Sequence, residues 1–239
     1  VEIDAHLDAL DREGALLADG AARGSLSDPV PGCPDWTVRD LVSHIGEVHR
    51  WAAAIVAGAL ADPNLPAVDA APGEDQLLDW YREGHHALVT TLRAAPADLA
   101  CFTFLPAPSP LAFWARRQAL ETAVHRADAY AAAGQPVAFD DELAHDGIDE
   151  ILTGFGARPR AFEAGTIRLE PGSGPAWLVS LTADGAKCAI DAADSPADVV
   201  VAGEASQLYL WLWNRPATVS ISGDPAVASR WSQLRIRWS

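Results

Sequence analysis

Apolar residues recur at helical spacing through the first part of the chain and at strand spacing towards its end. Between Glu2 and Ala22 they fall at Ile3, Leu7, Leu10, Leu16 and Leu17, with charges between them, which predicts an amphipathic helix. His6 is expected on the outer side of it. Residues 23–36, with Gly24, Pro29, Pro31, Gly32 and Pro34, read as a loop. Thr37 then offers a good N-cap, with Asp40 three residues on at the positive end of the helix dipole. The helix that follows carries the stripe Leu41, Ile45, Val48, Ala52 and Ile55. His44 falls on this stripe and points inward, whereas His49 lies well off its direction. A third helix over residues 74–95 turns Leu77, Leu78, Tyr81, Leu88 and Leu92 inward. His85 and His86 are adjacent, so at least one of them is solvated. A fourth runs from Leu111 to Ala133 and stops at Gly134 and Pro136. Four helices joined by loops predict a four-helix bundle.

After Pro136 the texture changes. Residues 140–155 offer one more helix, capped by Asp140. From Thr166 the period shortens: Thr166–Glu170, Ala176–Leu181 and Ala186–Ile190 alternate as strands do. Asp184-Gly185 marks a hairpin between the last two. Val199–Val201 is a further strand, Glu204–Trp213 a helix, Thr218–Ile221 a strand and Pro225–Leu234 a terminal helix. The prediction is therefore an α plus α+β chain with a boundary near 155–165: a helical bundle over 1–158 and a small α+β domain over 159–239.

Composition narrows the partners. The formal charge of −16 and the single lysine, Lys187, argue against nucleic acid or an anionic membrane, which need clustered Lys and Arg. Arginine and alanine in place of lysine fit a GC-rich genome. No apolar run is long enough to span a bilayer and no signal segment opens the chain, so the expectation is a cytoplasmic protein. The first residue is Val1 and methionine is absent throughout, which predicts a trimmed or non-Met start. Cys33, Cys101 and Cys188 lack redox-motif or zinc-ribbon spacing and read as reduced thiols.

The chemistry concentrates in the fourth helix. Glu121 and His125 are four apart and share one face, which Gln118 and Asp128 extend by a turn each way. Catalytic metal sites commonly take three His or carboxylate ligands and leave a position open. Glu121 and His125 supply two, His44 is the natural third, and Asp128 is placed to accept a hydrogen bond from the free ring nitrogen of His125. The plainer alternatives are a satisfied core histidine at 44 and an ordinary i,i+4 polar pair at 121 and 125. The costs of burying an unpaired carboxylate and imidazole favour one shared site.

The run Cys33-Pro34-Asp35-Trp36-Thr37-Val38-Arg39-Asp40-Leu41-Val42-Ser43-His44, followed by Glu121-Thr122-Ala123-Val124-His125-Arg126-Ala127-Asp128, resembles the mycothiol-dependent maleylpyruvate isomerase family. That resemblance covers both parts of the chain. It implies a DinB-like metal-binding four-helix bundle followed by a sterol-carrier-like domain. It implies a divalent metal, usually zinc, on His44, Glu121 and His125, and mycothiol, the low-molecular-weight thiol of actinobacteria, as cosubstrate. The reaction implied is addition of the thiolate to an electron-poor cis double bond of a small unsaturated diacid, rotation, and elimination to the trans isomer. The family also uses an arginine from its C-terminal domain, for which Arg215 is the best match, ahead of Arg230, Arg235 and Arg237. Family members often carry His before the glutamate and Trp before the aspartate. Leu120 and Ala127 stand there in this chain, which leaves the ligand set intact and changes the pocket wall.

Other functions remain open at this level. The same apparatus without the rotation is a thiol S-transferase acting on an electrophile. Trp177, Trp211 and Trp213 either line an apolar pocket of a non-catalytic lipid-binding protein or fill a small core. A metal in the bundle could be purely structural. Cys33, near a helix start and His44, has no local signature of a nucleophilic cysteine.

Overall fold

The structure is a computed structural model that describes residues 2–64, 67–190 and 192–234. It divides into two compact units, Val1–Val137 and Ala138–Ser239.

The first unit holds α1 (Ile3–Ala21), β1 (Pro29–Val30), β2 (Cys33–Thr37), α2 (Val38–Ala57), α3 (Glu74–Ala94) and α4 (Pro110–Ala132). Its four helices pack on one another as a bundle, with α1 against α4 and α2 against α3 the most extensive pairings. The sequence explains the ends of these helices. Thr37 accepts from the Asp40 amide while the Asp40 carboxylate accepts from the Thr37 amide, a complete capping box. Ser109 caps α4 ahead of Pro110. Gly134, at φ +65°, takes the left-handed conformation that ends α4. Every residue of α4 from Arg117 to Ala129 is buried, so this helix is the axis of the unit.

Several expectations change here. His6 is buried rather than outside; it lies on the stripe between Ile3 and Leu10, and its polarity alone argued for exposure. Val48 and Leu78 are only partly covered. His85 is buried and His86 exposed, in keeping with the expectation that at least one of the two is solvated. His49 is wholly buried, with Nε2 2.9 Å from Thr122 Oγ1. The stretch 23–36 is more than a loop: β1 and β2 form a short antiparallel ribbon. Val30 of this ribbon is 1% exposed and joins the core of Leu41, Ile45, Leu77 and Tyr81. Burying one valine contributes roughly 1.5–3 kcal/mol, enough to seat the ribbon firmly on the bundle.

The second unit holds α5 (Asp141–Glu150), a π-helical turn over Ile151–Phe155, β3 (Gly165–Pro171), β4 (Trp177–Thr182), β5 (Gly185–Ile190), β6 (Val199–Gly203), α6 (Ala205–Leu212), β7 (Ser220–Gly223) and α7 (Pro225–Trp231). The strands form one sheet in the order β5-β4-β3-β6-β7. All neighbours are antiparallel except β3 and β6. The hairpin closes at Thr182 opposite Gly185, as Asp184-Gly185 predicts. Alternate residues of β4, namely Trp177, Val179 and Leu181, face the core.

The division at Val137/Ala138 falls ahead of the expected 158/159. Helix α5 sits with the sheet unit because its Gly147 lets Tyr209 of α6 approach: a Cβ there would lie 2.4 Å from that ring. Ser206 of α6 also accepts from the Phe139 amide at 2.9 Å. Those partners lie about sixty residues downstream, beyond the reach of local pattern.

Candidate metal centre

His44 comes from the second turn of α2, and Glu121 and His125 come from consecutive turns of α4. Their side chains converge. Glu121 Oε1 lies 3.3 Å from His125 Nε2 and 3.9 Å from His44 Nε2. One donor atom from each residue falls within 4.8 Å of the other two. Metal–ligand bonds of roughly 2.1 Å in a tetrahedron put ligand atoms about 3.4 Å apart, so the observed spacing suits one ion. Glu121 and His125 are buried and His44 is partly open, which leaves an approach from the His44 side.

The surroundings hold these groups in a ligating arrangement. His125 Nδ1 lies 3.0 Å from Asp128 Oδ2, and Asp128 is 1% exposed. With Nδ1 directed at the Asp128 carboxylate, Nε2 is the ring nitrogen that faces Glu121, where a ligand bond would form. Arg117, one turn before Glu121 and itself buried, donates from Nη2 to Glu121 Oε2. The half-buried Trp36 of β2 lies over both imidazoles, its ring centroid 4.9 Å from that of His44 and 5.9 Å from that of His125. Cys33 Sγ sits 3.8 Å from Asp128 Oδ2.

Titration follows from the same contacts. Burial pushes the Glu121 carboxyl up, but Arg117 and the hydrogen bonds from His125 and His44 outweigh it and hold the group well below its ordinary range. Burial pulls the His125 imidazole down, and Asp128 with Glu121 carries it back above its ordinary value. A cation bound here would compete with a proton for His125 Nε2.

The sequence already pointed to His44, Glu121, His125 and Asp128, and the structure brings all four together. Arg117 and the wall formed by Trp36 were missed. Spacing alone could have found Arg117, four residues before Glu121; nothing local announces that Trp36 reaches the histidines. Gln118 lies on the same face of α4, buried, with its Oε1 lacking a hydrogen-bond partner among the described residues. Leu120 and Ala127 are buried.

In the second unit, Arg215 follows Asn214, a residue at φ +58°, and donates from Nη1 to Trp213 O at 3.0 Å. Arg230 is engaged with Glu163 at 2.8 Å. Arg235 and Arg237 lie outside the described residues. Trp177 and Trp213 are buried, the latter edge-on to Phe155, so both serve as core residues. None of the three cysteines forms a disulfide among the described residues; burial, aided by Asp149, pushes the Cys188 thiol up to about 12. No helix among the described residues is long and apolar enough to cross a membrane.

The first unit is thus a helical bundle with a His–Glu–His cluster that could hold a metal ion, and the second is an α+β unit. Residues 7–130 match the family model of the mycothiol maleylpyruvate isomerase N-terminal domain, and residues 142–230 match that of the MDMPI C-terminal domain. The chain belongs to the mycothiol maleylpyruvate isomerase family. Its fold is also that of two solved structures of the mycothiol-dependent maleylpyruvate isomerase. One covers 92% of this chain and 93% of its own. The other, of a single-residue mutant, covers 88% of each. Both show 12% identity and a TM-score of 0.62, a likeness of fold. Among curated proteins no match is significant.

Proposed function

We propose that this protein is a metal-dependent and mycothiol-dependent isomerase that converts a small cis-unsaturated diacid of the maleylpyruvate kind to its trans form in the cytoplasm. The observation that carries the proposal is the convergence of His44, Glu121 and His125, in a chain of this family, on one point that is open on one side. These three residues would hold a divalent cation, most simply zinc, which suits nitrogen and oxygen ligands. When bound, the ion supplies a Lewis acid that favours the deprotonated state of a coordinated thiol and offsets developing negative charge.

The chain's own residues do the rest. Asp128 keeps His125 in the tautomer that presents Nε2, Arg117 orients Glu121, and Trp36 holds both rings in place. In the reaction the thiolate sulfur bonds to one alkene carbon as the alkene π pair moves to the conjugated oxygen. The former double bond rotates as a single bond, and expulsion of the sulfur restores the alkene as the trans isomer, with the thiol regenerated. Arg215 is proposed as the cation that meets a substrate carboxylate.

The test is a spectrophotometric assay of the metal-loaded protein with maleylpyruvate and mycothiol. Isomerisation that needs both the thiol and the metal, with the thiol undiminished at the end, supports the reading. Stoichiometric thiol consumption with an accumulating adduct would make the protein an S-transferase instead. Isomerisation at the same rate without thiol would refute it.

A further inference from the structure

The two oxygens of Glu121 are not equivalent. Oε1 is the one beside His125 Nε2, at 3.3 Å, and His44 Nε2, at 3.9 Å. Oε2 accepts from Nη2 of Arg117, which is 1% exposed and stacked one turn earlier on α4. A carboxylate free at both oxygens can rotate and bind a cation through both. Here one oxygen is engaged by a guanidinium that stays charged at any working pH and presents its donors in a rigid plane.

We infer that Arg117 is a positioning residue that keeps Glu121 a one-oxygen ligand and so preserves an open place at the cation for a sulfur donor. The inference rests on the metal reading above and adds to it the device that sets the number of protein ligand atoms. Three single-atom ligands leave a position vacant, which distinguishes catalytic from closed structural sites. Were Glu121 to bind through both oxygens, a fourth protein atom would compete for that position. Replacing Arg117 by an uncharged residue would free the second oxygen and also remove a positive charge from beside the cation. Loss of Arg117 therefore weakens thiol binding without weakening the hold on the metal, the reverse of what loss of a purely structural support would do.

The experiment loads the parent protein, Arg117→Met and Arg117→Lys with Co2+. Affinity is read by competition with a chromophoric chelator, and coordination by the visible absorption. Binding of 2-mercaptoethanol is followed through its sulfur-to-cobalt charge-transfer band. Arg117→Met should hold Co2+ at least as tightly as the parent, show weaker visible absorption as coordination number rises, and bind the thiol at least about tenfold more weakly, a loss of about 1.4 kcal/mol. Arg117→Lys, which keeps a charged donor, should stay close to the parent. Parent-like absorption and thiol affinity in Arg117→Met would overturn the inference and leave the metal reading standing. Parallel loss of Co2+ and thiol binding in both variants would overturn it in favour of simple packing. Failure of the parent to take up Co2+ would remove both readings. Circular dichroism checks the fold, and should Arg117→Met not fold, Arg117→Leu, which likewise has no donor, carries the same expectations.

Discussion

The Asp128–His125 contact makes a quantitative prediction. Asp128 is 1% exposed and its Oδ2 lies 3.0 Å from His125 Nδ1, so the ring proton is pinned on the nitrogen facing away from Glu121. Asp128→Asn keeps the volume and removes the charge. Its amide can then accept from Nδ1 as a neutral group, a weaker anchor, or turn its NH2 towards Nδ1 and force the proton onto Nε2, the atom needed for the metal. Loss of such an outer carboxylate costs about 10–100-fold in metal affinity. That is about 1.4–2.7 kcal/mol, since each tenfold is about 1.4 kcal/mol. The assay is competition for Zn2+ against a chromophoric chelator at pH near 7, with circular dichroism to confirm that the bundle persists. The charge also holds the His125 imidazole above its ordinary pKa, so the apo variant should protonate His125 at lower pH than the apo parent. Equal zinc affinity in the variant and parent would refute the reasoning that Asp128 orients the ligand.

Two further predictions concern the bundle itself. Glu13 on α1 and Arg126 on α4 form a buried pair, 2% and 3% exposed. Glu13→Leu should lower stability by about 3 kcal/mol, whereas Glu13→Leu with Arg126→Met should recover much of that loss, because apolar replacement of a whole buried pair is often neutral; urea unfolding of both variants checks this. Burial above all, with His85 adding to it, holds the His49 imidazole well below its ordinary pKa against the opposing pull of Glu121, and burial also lowers His85. Below about pH 6.5 the unfolded chain takes up protons that the folded chain declines. The stability of the folded state is therefore complete above that pH and declines as the pH falls towards the lowered folded values. His49→Gln, measured by urea midpoints between about pH 7.5 and 5, should show a shallower decline than the parent.

Much of this site was legible because it is local. Glu121, His125 and Asp128 lie within eight residues of one helix, where 3.6-residue geometry alone aligns them. Thr37 and Asp40 fix where α2 begins, and with it the direction of His44. The β-hairpin at Asp184-Gly185 is legible for the same reason. What escaped is what depends on distant partners. His6 follows the buried stripe of α1, but its polarity pointed outward, and only the packed neighbours decide such a conflict. Trp36 reaches the two histidines because Val30 anchors the ribbon in the core, a tertiary effect that no periodicity reports. The same holds for α5, which Tyr209 against Gly147, and Ser206 bonded to Phe139 just ahead of the helix, place with the second unit. Arg117 is different: its spacing to Glu121 was visible, and only its role depended on knowing which carboxylate oxygen faces the histidines.

The central claim is that two helices aim three ligands at a single ion. Elemental analysis of the purified parent beside His44→Ala, Glu121→Ala and His125→Ala measures it most directly. The expected result is about one divalent ion per parent chain and its loss, or near loss, in each variant while the helices remain folded. Metal content unchanged by all three substitutions, or none in the parent after growth and reconstitution with zinc, would contradict it.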